Sequence, residues 1–204
     1  MKYNLLILGL ILNVISVLTV SAQEKKTLMQ GNNATVERNM SLYGELGLKV
    51  MTVKGDAAPG INANIGVGFN EHISAGIAFQ TSLSNLQPDA ELDPEVFYNL
   101  YFGSLFFEYN WNPKSVFSVS TPIHFGAGIN KLINETGEDV VGLENDRVSV
   151  IMPSIKGNLN VSPRMSLNLN LGYRILGLIK ENRGLTNSDM SGFEAGVGLK
   201  LNIL

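Results

Sequence analysis

Apolar side chains recur at every second position from Ser41 to the end of the chain, in runs that stop at turn-forming residues and then restart. A repeat of two is the side-chain period of a β-strand, because successive Cβ atoms point to opposite faces of a sheet; a helical face repeats about every 3.6 residues. Eight such runs can be written. In the first, 42–53, Leu42, Leu46, Leu48 and Val50 share one face and Tyr43, Glu45, Lys49 and Met51 the other. The second and third set Ile61, Ala63, Ile65, Val67 and Phe69, then Ile73, Ala75, Ile77 and Phe79, against asparagine, serine, glycine and Gln80. The fourth, 97–111, puts Leu100, Phe102 and Phe106 on the face of Glu108, opposite Tyr101, Leu105, Phe107, Tyr109 and Trp111. The fifth opposes Phe117, Val119, Ile123, Phe125, Ala127 and Ile129 to Ser118, Ser120, His124, Gly126, Gly128 and Asn130. Alternation is weakest in the sixth, 148–161, and strongest in the last two. There Leu167, Leu169, Leu171, Tyr173 and Ile175 oppose Asn168, Asn170, Gly172 and Arg174, and Phe193, Val197, Leu199, Leu201 and Ile203 oppose Glu194, Gly196, Gly198, Lys200 and Asn202.

One greasy and one polar face per strand fits two opposite objects. A soluble barrel of lipocalin type turns the greasy face inward; a membrane barrel turns it outward. Glycine separates them. Gly66, Gly68, Gly76, Gly126, Gly128, Gly172, Gly196 and Gly198 all lie on the polar face, and a narrow eight-stranded interior has room for few large side chains. The Leu, Ile and Phe rows therefore point out, and in water they would make an exposed patch far larger than a soluble monomer tolerates. Tyr98, Tyr101, Tyr109, Trp111 and Tyr173 are placed to serve as interface aromatics. Pro122 and Pro153 fall inside runs five and six. Proline cannot donate to a ladder and a closed barrel has no free edge, so a bulge or local break is expected at each.

The connections alternate in length. Asn70 to His72, Asn112 to Ser115 and Ser162 to Met165 read as tight turns, whereas Leu83 to Val96, Leu132 to Arg147 and Lys180 to Ser191 are long. Only the first connection on the long side, around Gly55 to Gly60, is short. An even strand count, strands of roughly ten residues and short turns on one rim only is the organisation of a transmembrane β-barrel in a bacterial outer membrane. Such an address requires export, and the N-terminus supplies a signal: Lys2, then a nearly all-apolar Leu5 to Val20, then the small-residue cleavage site Val20-Ser21-Ala22. An uncleaved anchor is disfavoured because the apolar run is shorter than the roughly 20 residues of a spanning helix. The expected organisation is a signal peptide at 1–22, a flexible periplasmic lead-in at 23–40, polar and unpatterned, and a barrel at 41–204. The whole chain of 204 residues carries a formal charge of −3; losing the leader removes one lysine and no acid, and the resulting acidity argues against nucleic acid as a partner. The chain holds no cysteine, which excludes a disulfide framework, a lipidated cysteine and a thiolate nucleophile or metal site.

The blocks Gly103-Ser-Leu-Phe-Phe-Glu-Tyr109, Pro153 followed by Asn158 and Asn160, Leu171-Gly-Tyr-Arg174 and Asn187-Ser-Asp-Met-Ser-Gly-Phe193 carry a resemblance. Over most of Thr27 to Leu204 the chain resembles the small OmpA/OmpX-like outer-membrane β-barrel proteins, and a family of envelope barrels with similar blocks in similar order. The resemblance implies fold and location and attaches no activity. Barrels of the best-known kind end in an aromatic residue read by the assembly machinery; here the last residues are Asn202-Ile203-Leu204, with the apolar alternation before them intact.

Candidate chemistry is sparse. His72 and His124 are the only histidines, and without a second ligand at metal-site spacing they point to no metal. The GxG pairs at 66/68, 126/128 and 196/198 lack the strand-loop-helix context and third glycine of a phosphate loop. A Ser120/His124 pair would need a carboxylate at one rim, and no spacing singles one out. Acids gather in two of the long connections, Asp89, Glu91, Asp93 and Glu95 in one and Glu135, Glu138, Asp139, Glu144 and Asp146 in the other; these read as solvated loops rather than a divalent-cation bridge. The inward charges are balanced, Glu45, Glu108 and Glu194 against Lys49, Lys156, Arg174 and Lys200. Charges so confined should pair and plug the lumen. The expectation is thus a non-catalytic, cofactor-free envelope barrel in the outer membrane. Its partners would be outer-membrane lipids, a surface ligand at the longer outer loops and the assembly machinery through the last strand. Two other readings stay open, a barrel enzyme acting on lipid or peptide and a narrow channel for small solutes.

Overall fold

The computed structural model of the chain describes residues 40–53, 55–83, 96–134, 146–177 and 186–203, without the side chains of 96–98, 132–134 and 146. The expected signal peptide and all of the lead-in but Met40 lie outside the described residues, as do Asp89, Glu91, Asp93, Glu95, Glu135, Glu138, Asp139 and Glu144 of the long connections and the side chains of Tyr98 and Asp146. Eight strands follow one another: β1 (Ser41–Val53), β2 (Asp56–Gly68), β3 (Ile73–Ser82), β4 (Val96–Asn110), β5 (Phe117–Asn134), β6 (Asp146–Ser162), β7 (Met165–Gly177) and β8 (Gly192–Asn202). Each pairs antiparallel with the next, and β8 pairs back onto β1 to close the barrel. This is the expected all-β, up-and-down architecture.

The two faces sort by parity as expected. On β1, Leu46, Leu48 and Val50 are exposed, while Tyr43, Glu45, Lys49 and Met51 are buried. Phe193 on β8 is 70% exposed, the Arg174 side chain on β7 not at all. In an ordinary soluble fold this is inverted, since charge is almost never fully buried unless paired. Tyr101, Tyr109, Trp111 and Tyr173 all lie on the outer face. At the glycine-lined places neighbouring backbones come close together. A Cβ on Gly76 would run into the Ile65 carbonyl and Gly66 Cα of the adjacent strand.

The first long-side connection is tighter than the sequence suggests. β2 begins at Asp56 instead of near Ile61, Val53 pairs with Asp56, and Gly55 takes the turn with φ +87°, a region open to glycine at little cost. Pro59 is thereby inside a strand. Its carbonyl accepts the Leu83 amide on the β3 side, and its missing N–H falls on that same side, beyond the Gly60–Ser82 pair where β3 ends. The 132–147 connection is likewise shorter, because β5 runs to Asn134 and β6 starts at Asp146.

Both expected proline breaks occur, and neither shifts the register. The β5–β6 ladder passes from Ser120–Lys156 to Ile123–Pro153 with the pairs between missing, and the Ser154 hydroxyl donates to the Pro122 carbonyl at 3.2 Å across the gap. The β6–β7 ladder skips from Ile151–Ile175 to Ser154–Gly172. The register shift in the barrel lies elsewhere, between Asn160 and Ser162 beside the Pro163-Arg164 turn.

Candidate functional site: the lumen

β1, β4, β6, β7 and β8 each send charged side chains inward at alternate positions, and the lumen brings most of them together in two groups of three. Lys156 of β6 reaches across to Glu45 of β1 and Glu108 of β4, with Nζ 3.0 Å and 3.1 Å from their carboxylates. Ser120 donates to Glu108 at 2.6 Å, Asn158 donates to Ser120 at 3.1 Å and Asn64 to Glu45 at 3.2 Å. In the second group Glu194 of β8 sits between Lys49 at 2.5 Å and Arg174 at 2.7 Å, and the Lys49 ammonium also donates to Gln80. The first group carries two carboxylates and one ammonium, the second one carboxylate and two cations, so their net charges are opposite. Charges in this setting persist only when paired and hydrogen-bonded, and each of these six is both.

Lys200, the seventh predicted lumen charge, pairs in register with Glu45. Its Nζ stands 3.6 Å from the centroid of the Tyr43 ring, a cation–π position, and Glu45 also forms an ion pair with Lys156 across the barrel. The Tyr43 hydroxyl donates to Ser74. His124 packs on Phe106, ring centroids 5.4 Å apart, with Nδ1 3.4 Å from the Ser104 hydroxyl. Ser120 is held by Glu108, so the Ser120/His124 arrangement is not assembled. His72 sits on the outside, stacked on Tyr109.

Sequence reasoning put Met51, Leu100 and Phe102 on the inward face but missed that they gather into an apolar half of the lumen. Near the rim of the long connections Met51, Val53, Ala58, Leu100, Phe102, Val148, Val150, Leu176 and Met190 form a buried apolar cluster. Met190 comes from a one-turn helix, α1 (Asn187–Met190), inside the long connection between β7 and β8. Its signal was present: Thr186 and Asp189 have capping-box spacing, and the Thr186 hydroxyl accepts the Asp189 amide while the Asp189 carboxylate accepts the Thr186 amide. Arg174 ties this turn to the barrel, donating from Nε and Nη2 to the Met190 carbonyl at 3.1 Å and 2.8 Å and from Nη2 to the Thr52 carbonyl at 2.9 Å. Between the charged groups, bordered by Asn64, Gln80, His124, Asn168 and Asn170, a cavity of about 20 Å³ remains, enough for about one water.

No protein-family model matches the chain, and no curated protein sequence matches it. Solved structures do. Neisserial surface protein A aligns with a TM-score of 0.56 at 11% identity, covering 81% of this chain and 98% of its own. The N-terminal β-barrel domain of OprF from Pseudomonas aeruginosa gives 0.53 at 12% identity over 81% and 98%. Ail, the attachment invasion locus protein of Yersinia pestis, gives 0.50 at 12% identity over 80% and 97%. At such identities the shared property is the fold, and this chain has the fold of the small, eight-stranded outer-membrane β-barrels of OmpA/OmpX type.

Proposed function

We propose that the protein is a non-catalytic barrel of the outer membrane, closed to solutes, which serves envelope structure or surface interaction through its longer connections. The observation that carries this is the filling of the described lumen: a charged network below, with a space of about 20 Å³ left between its two groups, and an apolar cluster and α1 above. Among the described residues, such a filling leaves no continuous aqueous path, and Ser120 is engaged by Glu108. Its outward rows require lipid, and its two rims differ in the length of their connections, the long ones being the cell-exterior side in barrels of this organisation. Surface ligands would then meet the 83–95, 135–145 and 178–191 segments, and the last strand would be the one the assembly machinery reads.

The test is fractionation combined with accessibility. The protein should be recovered with outer membranes and migrate differently on gels before and after heating. Epitope tags in 83–95 and 135–145 should be reached on intact cells, and tags at Asn112 to Ser115 should not. Recovery as a soluble periplasmic protein would overturn the reading.

A further inference from the structure

We infer that the lumen carries a built site for one buried water molecule, which bridges the two charged groups and whose place neither an anion nor a cation can take. The inference deepens the closed-lumen reading proposed above and rests on it.

Both charged groups reach the small cavity between them: Glu45 and Lys156 line it from one, Lys49 and Glu194 from the other. Three buried side-chain atoms on residues of its lining have no hydrogen-bond partner, namely Asn64 Oδ1, Asn168 Nδ2 and Asn170 Oδ1. Asn64 and Asn168 are only 8% and 7% exposed. A buried amide atom without a partner forfeits its hydration and gains nothing in return. Three of them around one small space point to a partner they share.

The orientation of Asn64 is fixed by its neighbour. Its Nδ2 donates to Glu45 at 3.2 Å, which leaves Oδ1 as the atom to be served. The Asn168 amide lies over Gly198, where a Cβ would stand 2.7 Å from Oδ1 and 3.1 Å from Nδ2, so the glycine keeps the room that this amide occupies. Asn170 follows two residues on along β7 and therefore shares its face, opposite Lys156 of β6 and Gly196 of β8.

The count of donors and acceptors selects the ligand. Two amide oxygens call for a donor and one amide nitrogen calls for an acceptor. A halide would serve Asn168 and set its charge against the oxygens of Asn64 and Asn170. A monovalent cation would serve those oxygens and meet the Asn168 N–H group together with two lysine ammoniums. Water donates two hydrogen bonds and accepts two, and its second acceptance also has a source. Lys156 bonds to Glu45 and Glu108, and Lys49 to Glu194 and Gln80, while an ammonium has three N–H groups to give. A space of about 20 Å³ holds one water. That water joins a group of net negative charge to one of net positive charge, and makes a single network of the polar half of the lumen.

The full-length protein, refolded in neutral detergent and heat-modifiable on gels, is crystallised, and crystals are soaked separately in sodium bromide and in thallous acetate, whose ions scatter anomalously. One water peak should stand about 2.7–3.2 Å from Asn64 Oδ1, Asn168 Nδ2 and Asn170 Oδ1, with no anomalous signal there from either ion. Asn168→Leu should lose that peak and keep the heat-modifiable mobility. An anomalous peak among the three amides, amides paired with one another and no peak, or a peak unmoved by Asn168→Leu overturns the inference and leaves the closed barrel standing. Stepwise conductance of the unmodified protein in a planar bilayer defeats the closed-lumen reading itself.

Discussion

The two halves of the lumen are filled by different physics. Toward the long connections the interior is Leu100, Phe102, Val150, Leu176 and their neighbours, capped by Met190; toward the short turns it is Lys156, Glu45, Glu108, Ser120 and a set of asparagines. The apolar half needs only shape and loses contacts locally when trimmed. The charged half is a network in which every member answers for another's desolvation, so removing one leaves a buried charge without its partner. Packing thus lines one end of the lumen and electrostatics the other, with Arg174 joining the two: it pairs with Glu194 below and holds the α1 backbone above.

The sharpest break of this comparison is Lys156→Ala. It strands Glu45 and Glu108 together and should cost about 3–5 kcal/mol, read as a fall in the urea midpoint of the barrel in phospholipid vesicles. Neutralising the whole group, Lys156→Met with Glu45→Gln and Glu108→Gln, should lose clearly less. If the triple variant is the less stable, the network is not what the charges are for.

On the apolar side Leu100→Ala should cost about 2–4 kcal/mol in the same assay, with little dependence on ionic strength. A strong salt dependence would mean the two halves are not separable.

The seam between β1 and β8 comes next. Lys200→Ala should cost about 1–2 kcal/mol through the Tyr43 ring. Glu45→Ala with Lys200→Ala should lose less than the sum, since the two face each other in register, while Glu45 with Lys156 should couple more strongly. Strict additivity at the first pair would place the closure of the barrel in error. Smaller still, Thr186→Ala should cost about 1 kcal/mol by uncapping α1, detectable as faster proteolysis of the connection that carries it. Lys114→Ala, removing a half-exposed pair with Glu71, should change stability by about 0–1 kcal/mol.

Strand faces were legible because membrane and lumen impose opposite chemistry on alternate residues, and in β1, β7 and β8 the sequence obeys almost without exception. The sixth run was faint for the same reason inverted. Val148, Val150 and Met152 point into the apolar half of the lumen while Ile151 and Ile155 point to lipid, so both faces are apolar and the period of two fades. The lumen charges could be enumerated from parity, yet their partners could not: Lys156 and Glu45 are 111 positions apart and meet only because the barrel closes. Asp56 to Gly60 read as a loop because Ala, Pro and Gly carry no alternation, and the strand is imposed there by pairing with β1. α1 was hidden by its length, although its capping box could be read.

Conductance across a planar bilayer bears most directly on the central claim, that the lumen is closed along its length. Refolded, heat-modifiable protein should insert and give no stepwise current above that of the protein-free membrane, and Lys156→Ala should not by itself create an open pore while the apolar cluster and α1 remain. Stable, unitary conductance steps from the unmodified protein would contradict the account and make the chain a channel.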